Sequence, residues 1–564
     1  MKKVVFSIVL AFLILIHYTS FAQKDTFSTK RDWQLSDFNI SATYGTSVEK
    51  AYATILTTLK PKRKIIVAVI DSGVDTLHED LKSILWKNKN EIPGNRIDDD
   101  HNGYVDDVYG WNFIGGRDGK NVTKDSYEGA RVYYKFKKLF ENQSIEENSL
   151  SNEQLFAFKN FKKAKEILEI QAKEASLYVM ILKDLVTKIP IADSIVKLSL
   201  GRNTYTGDEL ENFKAVSAVE IKSKKTMLGF FQQTRQMDQP NSFVLKELFD
   251  FYEQEKTKML AVENEPIDYR GAVVQDNYDD MNDRYYGNND VMATGSEHGT
   301  HVSGIIAADR NNKIGIAGIA NNVEIMMIRA VPDGDEHDKD IANAIHYAVD
   351  NGAWVINMSF GKGFSPEKKW VDEAVKYAES KGVLLIHAAG NDDKNIDIED
   401  NFPSKNINND TLQIASNWIN VGASGPTLAE LKASFSNYGK REVSVFAPGV
   451  DIYSTLPGGN VYGSMDGTSM AAPVVSGIAS LILSYYPELS APQVKNIIEK
   501  SAIKIDSSIQ IKQGDVNRNI LLSDISVSGG IANAYEALKL ASTIKGERKR
   551  ENTSEIKKRK VVKK

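Results

Sequence analysis

Three residues far apart in the chain are of the types that together cleave acyl bonds: Asp71, His298 and Ser469. A serine hydroxyl attacks a carbonyl when a base removes its proton, and a histidine serves as that base when a third group fixes its tautomer. Asp71 opens Asp71-Ser72-Gly73, His298 opens His298-Gly299-Thr300-His301-Val302, and Ser469 lies in Gly467-Thr468-Ser469-Met470-Ala471-Ala472-Pro473. The order Asp, His, Ser is one of three in which such a set occurs, and no Gly-x-Ser-x-Gly elbow surrounds Ser469. Each residue also has a plainer reading. Ser469 fits a helix N-cap, Asp71 a turn, and His298 an ordinary core or surface histidine. His298 and His301, three apart, make a poor zinc set by themselves.

Such distant residues meet only if the fold brings them together. Residues 64–70 form a continuous apolar, β-branched run, as expected of a strand buried on both faces, and Asp71 ends it. Further strands are expected at 323–330, 353–358, 383–388, 418–422 and 443–446. The intervening helices are marked by Gly352 and Gly382 at their ends and Ser365-Pro366 at a start. After Ser469, the residues Val474, Ile478, Leu481 and Ile482 keep helical spacing, while Ala471, Ala472, Gly477 and Ala479 permit close packing. This order predicts an α/β fold, a mostly parallel sheet with helices on both faces. Sites in such sheets gather at the strands' carboxyl ends, where Asp71, Ser359-Phe360-Gly361 and Ala388-Ala389-Gly390-Asn391 stand.

The three segments around Asp71, His298 and Ser469 closely resemble the signature motifs of the subtilisin-like serine proteases, the subtilases. Ala389-Gly390-Asn391 is similar to that family's oxyanion asparagine segment, and Ser359-Phe360-Gly361 to its substrate-binding strand. The resemblance covers roughly residues 61–120 and 266–542. It implies a serine endopeptidase of subtilisin-like fold acting on protein or peptide substrates. Ser469 would attack a peptide carbonyl, His298 would move the proton and Asp71 would orient the imidazole. Asn391 and the Ser469 backbone N–H would bind the oxyanion, and an extended substrate would pair with residues 359–361 beside Ala389 and Gly390. Two readings from other classes stand beside it. One is a silent peptide clamp on the same fold, against which all four chemical residues are present. The other is an ester or lipid hydrolase, against which the missing elbow and the chain order count.

Asp98-Asp99-Asp100-His101-Asn102-Gly103-Tyr104-Val105-Asp106 reproduces the first nine positions of a calcium loop. Asp98, Asp100, Asn102 and Asp106 would supply side-chain oxygens and Tyr104 a carbonyl. Tyr109 stands where an EF-hand has glutamate, so the expectation is a shorter structural calcium loop, with no catalytic metal. The alternative is a solvated acidic turn. The polar stretch 269–291 is a weaker second candidate for a cation.

Residues 125–265 differ in character. Ser151-Asn152-Glu153-Gln154 is a capping box, and Leu155, Phe158, Phe161, Leu168, Ala175, Leu182 and Leu185 follow at helical spacing. Thr206-Gly207-Asp208-Glu209 opens another helix, and 243–251 belongs to a third. A pattern this long predicts a helical hairpin or coiled coil, so this region reads as a self-packed helical insertion that gates the cleft or mediates oligomerisation. Subtilases with so long an insertion between the Asp and His motifs are unusual. Residues 23–60 form a short N-terminal segment, small for a folded inhibitory prodomain, with a helix expected over 48–59.

Of 564 residues, 42% are hydrophobic and 26% charged, which suits a soluble globular chain. A net charge of -5 points to neither nucleic acid nor a membrane surface as partner. With no cysteine there are no disulfides and no thiol chemistry. Lys2 and Lys3, the apolar run 4–16 and Ser20-Phe21-Ala22 predict a signal peptide over 1–22, and with it a periplasmic, cell-surface or secreted protein. An uncleaved anchor is the alternative. No later stretch is expected to be long and apolar enough to span a bilayer. Residues 543–564, rich in Lys and Arg, are expected to be a disordered, solvated basic tail.

Overall fold

The strand β1 (Ile65–Asp71) sends its side chains alternately into two apolar layers, Ile65, Val67 and Val69 into one and Ala68 and Ile70 into the other. A period of two with both faces buried is what the unbroken apolar run demands. A computed structural model describes residues 31–234, 236–237, 239–513 and 516–548. The expected signal peptide lies outside them. The further strands are β2 (Gly110–Asn112), β3 (Val323–Arg329), β4 (Val355–Met358), β5 (Leu384–Ala388), β6 (Trp418–Ser424) and β7 (Val445–Pro448). They are followed by β8 (Ile452–Leu456), β9 (Val461–Met465), β10 (Ile503–Lys504), β11 (Ile509–Gln513), β12 (Val516–Ile520) and β13 (Gly530–Ile531).

Among the described residues, nine strands form one sheet in the order β10-β13-β7-β6-β5-β4-β1-β3-β2. All neighbours are parallel except β10 and β13. The fold is therefore the expected α/β arrangement. One layer contains the helices Glu297–Ala307, Thr468–Tyr485, Ala491–Ser501 and Ala534–Ala541, and the other contains Asp338–Asp350 and Lys368–Ser380. β3 and β4, consecutive in the chain, lie on opposite sides of β1, and this divergence opens a crevice at its carboxyl end.

The helix Thr468–Tyr485 fills the middle of its layer, and every residue of it except Ser469 is buried. Full burial contributes roughly 2 kcal/mol for each of Val474, Val475, Ile478, Leu481 and Ile482. Gly477 allows the close approach, since a Cβ there would lie 2.6 Å from the Ile319 Cβ. This 18-residue segment has mean hydropathy 1.4, which corrects the expectation that no later stretch is apolar enough to span a bilayer. It is a core helix, with 94% of the window buried.

The N-terminal segment joins the same layer. Trp33, Leu35, Val48 and Ala51 are core residues, and Ala534 N donates to the Thr46 carbonyl at 2.8 Å. Its helix is shorter than expected, Val48–Ala53, because Thr54 leaves helical geometry before a 3₁₀ turn at Ile55–Thr57. The start of the basic tail is docked rather than free. Arg548 N and Nε donate to the Glu488 and Leu489 carbonyls, and its guanidinium stacks 4.0 Å from the Trp354 ring. Residues 549–564 lie outside the described residues.

Gly129–Ile267 forms a compact unit distinct from the one that holds the sheet. Its long segment is one continuous helix, Asn152–Leu200, where a hairpin or a coiled coil was expected. The capping box is present, Gly201 at φ 63° closes the other end, and Pro190 is accommodated within. At 49 residues the helix is roughly 74 Å long. Phe161, Leu168, Ala175, Leu182, Ile189 and Val196 are all buried, a strict seven-residue seam. The partners of the helix are the separate helices Ala218–Thr234 and Asn241–Leu260. The pattern gave the seam correctly, while the chain turns back only after Gly201.

Candidate active site

Asp71 ends β1, and its carboxylate is 2% exposed. Asp71 Oδ1 accepts from Ser72 N at 2.7 Å and lies 2.8 Å from His298 Nδ1. His298 is the second residue of the helix Glu297–Ala307, 227 positions further along the chain. A carboxylate can only accept, so Nδ1 carries the proton and Nε2 presents a lone pair. Burial disfavours the imidazolium, but the charge and hydrogen bond of Asp71 outweigh it and raise His298 above its ordinary pKa.

Ser469 is the second residue of the helix Thr468–Tyr485, half-buried where the unpaired N–H groups face outward. Its hydroxyl donates to the Ser359 carbonyl at 3.1 Å, and the Ser359 hydroxyl donates to the Ser469 carbonyl at 2.9 Å. Asn357 Nδ2 supports this latch, donating to Ser359 Oγ at 2.9 Å, while Ser476 Oγ donates to Asn357 Oδ1. No hydrogen bond between Ser469 and His298 occurs among the described residues.

Asn391 follows β5. Its Oδ1 accepts from both Thr468 N and Thr468 Oγ1 at 2.9 Å, which leaves Nδ2 as the free donor beside Gly467 and Ser469. The orientation of the amide is thus set by the residue preceding the serine. Phe360 and Gly361 follow β4, and their backbone N–H groups have no hydrogen bond among the described residues, while Lys362 pairs with Phe402. Such an edge accepts an extended chain as an added strand. Asn401 and His387 were not foreseen from the sequence. A Cβ on Gly361 would meet Asn401 Oδ1 at 3.1 Å and His387 Nε2 at 3.6 Å, and one on Gly390 would meet Asn401 Oδ1 at 3.6 Å. Asn401 therefore stands between the two segments, and its Nδ2 donates to the Ala389 carbonyl. No local pattern marks it, because only the pairing across Lys362 and Phe402 brings it there.

The family model of the subtilases matches residues 62–524. The chain belongs to the subtilase family. It is 42% identical over 226 residues to a thermophilic serine proteinase of Bacillus sp. strain AK1, a match covering 39% of this chain and 51% of that protein. Against the subtilisin of Bacillus pumilus the identity is 40% over 227 residues, covering 40% of this chain and 76% of the relative. The chain thus spans about half the length of the first relative and three quarters of the second. A solved protease from Pseudoalteromonas arctica PAMC 21717 is 29% identical, with a TM-score of 0.35 over 43% of this chain and 70% of that one.

The second histidine of this subtilase's His-Gly-Thr-His segment does not join the first in a metal pair. His301 Nε2 lies 3.1 Å from the Gly463 carbonyl, fastening β9, and burial pushes the ring down to about 4. The weaker cation candidate at 269–291 is a buried ion-pair network. Arg270 and Lys339 hold Asp276, and Arg270 also pairs with Asp340.

In the acidic loop the structure gathers a different set from the one the spacing suggests. Asp98 accepts from Asn102 N and Gly103 N, and Asp106 from Gly94 N and Arg96 N, so both carboxylates are occupied by backbone. Asn102 Oδ1 accepts from Tyr104 N, and Tyr104 itself is a core residue beside Trp111 and Tyr347. Asp100 instead meets Glu91 and Asp107, with oxygens of all three within 4.8 Å of one another. Burial pushes Asp107 up to about 7 and raises Glu91, with Asp100 adding repulsion to each. Glu91 lies before the recognisable loop and Asp107 one residue past its ninth position, so neither carries a spacing signal.

Proposed function

We propose that the protein is an exported serine endopeptidase that hydrolyses peptide bonds through Asp71, His298 and Ser469. The observation that supports this most is the 2.8 Å hydrogen bond between Asp71 and His298, at the end of the crevice that also holds the only half-exposed residue of the Ser469 helix. For the attack the Ser469 hydroxyl leaves the Ser359 carbonyl for His298 Nε2; such contacts are often loose before substrate binds. His298 Nε2 then takes the proton as Ser469 Oγ attacks the substrate carbonyl, and later returns it to the leaving amine. Asp71 keeps the ring in the productive tautomer and stabilises the imidazolium. The carbonyl oxygen becomes negative beside Asn391 Nδ2 and the Ser469 backbone N–H, at a helix N-terminus that favours anions. The substrate chain pairs with residues 359–361, flanked by Ala389 and Gly390.

The test is labelling by a fluorophosphonate probe and hydrolysis of denatured casein, beside Ser469→Ala. Both are expected in the parent, and in the variant labelling disappears while kcat falls about 10⁶-fold, a magnitude established in subtilisin itself. A parent that cleaves casein without labelling, or a variant that keeps its activity, defeats the proposal.

Calcium fits the carboxylates of Glu91, Asp100 and Asp107, because oxygens of three buried or half-buried acids lie within 4.8 Å of one another, and a carboxylate oxygen that already accepts an N–H, as those of Glu91 do, keeps a second lone pair for a cation. When bound, the ion would neutralise the repulsion among the three and secure the loop; no step of the hydrolysis uses it. Chelation is expected to lower the melting temperature by several degrees at ion levels near 100 times Kd, a stabilisation of about 2.7 kcal/mol. An unchanged melting temperature counts against the site. Export rests on residues 1–22, and a mature protein beginning after Ala22 would establish it.

A further inference from the structure

Arg329 ends β3, in register with Asp71 on one side and with Asn112 on the other. Its side chain is fully buried, 1% exposed. Nε donates to the Ser72 carbonyl at 2.9 Å, Nη1 to Asn112 Oδ1 at 3.3 Å and Nη2 to the Val122 carbonyl at 2.6 Å. All three acceptors are neutral, and no ion pair to Arg329 occurs among the described residues. Burial pushes the guanidinium down to about 10, opposed only by the more distant charge of Asp290.

A buried cation without a contacting anion is costly, and an apolar side chain would close a strand end at less expense. What the guanidinium adds is a rigid fork that reaches three segments at once. The first of these is the peptide directly after Asp71. The Asp71 carbonyl already accepts from Ala330 N and Val331 N, and Val74 N donates to the Val291 carbonyl. Gly73, at φ +123°, lets the turn close onto the arginine, since a Cβ there would stand 3.5 Å from Arg329 Cδ and 2.8 Å from the Val291 carbonyl oxygen. Arg329 Nε supplies the one bond to the intervening Ser72 carbonyl.

We propose that Arg329 is a positioning residue for the hydrolysis: by holding the Asp71-Ser72-Gly73 turn it aims the Asp71 carboxylate at His298 Nδ1. This rests on the reading of Asp71, His298 and Ser469 given above. Arg329 touches neither substrate nor reacting atoms, so its effect belongs in kcat and in the titration of His298. A displacement of about 1 Å at such a contact costs on the order of 10²-fold in rate. Lysine keeps the charge but reaches only one of the three acceptors, so it does not substitute.

The experiment compares the full chain with Arg329→Lys and Arg329→Met on a chromogenic peptide, well below each variant's melting temperature. Expected are a fall in kcat of about 10- to 100-fold with KM within about twofold, and an acid limb of kcat/KM displaced to lower pH as His298 loses the influence of Asp71. A parent-like kcat and acid limb with only a lower melting temperature would make Arg329 a plain brace and overturn the proposal. A raised KM with unchanged kcat would overturn it equally. Should Arg329→Met fail to fold, Arg329→Lys decides by the same readouts. Ser469→Ala separates the two levels: activity surviving in that variant sinks the triad, whatever Arg329 does.

Discussion

The two units of this subtilase are stabilised at different ranges. In Gly129–Ile267 the pattern is local: a seven-residue seam on one helix, packed by helices that follow it within 60 residues, and surface pairs such as Lys188 with Asp184 one turn apart. Its surface keeps Leu177, Met180 and Ile191 exposed. In the sheet unit the important contacts join residues far apart in the chain, 227 positions between Asp71 and His298 and 77 between Asn391 and Thr468, and buried cations such as Arg270, Lys339 and Lys362 are ion-paired. Local pairing suffices to make a stable helical body. Chemistry at one point requires the long-range kind, because only a sheet brings the ends of separate strands together.

That contrast can be broken at several points. Asn391→Ala removes the long-range amide without touching a core, and kcat is expected to fall about 10²- to 10³-fold with little change in melting temperature; the magnitude is that of subtilisin, where this donor type was measured. A loss below tenfold on a peptide substrate would mean that the helix terminus alone carries the oxyanion.

The helical unit has its own buried carboxylate. Asp193 is bonded to Lys197, Tyr205 and Asn241 and so joins three stretches of chain. Asp193→Ala is expected to destabilise that unit by about 3 kcal/mol, since it leaves partners buried and unsatisfied. Peptide hydrolysis should be unaffected. Calorimetry showing both units destabilised equally, or kcat falling with them, would end the distinction drawn here.

Acid reaches the sheet unit through its buried histidines. Burial pushes His301 and His387 down to about 4, from an ordinary 6.5. The unfolded chain therefore binds more protons between those limits, and stability falls as pH drops from about 6.5 to 4, by about 2–3 kcal/mol per histidine. Gly129–Ile267 contains no histidine and lacks this source of lability. Asp107 works the other way, since a carboxyl pushed up to about 7 holds its proton in the folded chain and gains stability over the same fall in pH; His301→Asn should therefore reduce the acid loss of melting temperature, and an unchanged acid melt would remove His301 as its source. Activity responds with the opposite sign of shift, its acid midpoint lying above 6.5 because Asp71 raises His298.

The same division of range governs what could be read from the sequence. Asp71, His298, Asn391 and Ser469 stand in short motifs, and the strands in apolar runs, so both were legible residue by residue. Asn401, His387 and Arg329 are single residues without a motif, visible only once β1, β3, β4 and β5 are side by side, and Glu91 only once the loop that follows it closes. In the acidic loop, spacing counts oxygens within one run, and it includes Asp100 but not Glu91 and Asp107, which lie outside the run and meet Asp100 only when the loop closes. For the long helix, length alone left a hairpin and a coiled coil open, and the seam that continues past Pro190 decides for the unbroken helix.

One further consequence follows from the burial of Thr468–Tyr485. The helix is buried around its whole circumference and apolar but for its first turn and the stripe Ser476, Ser480 and Ser484, so opening the sheet unit releases an 18-residue sticky segment at once. Association then competes with reclosure. The working lifetime of the protein in warm solution is set by how often it opens rather than by the equilibrium between its open and closed forms.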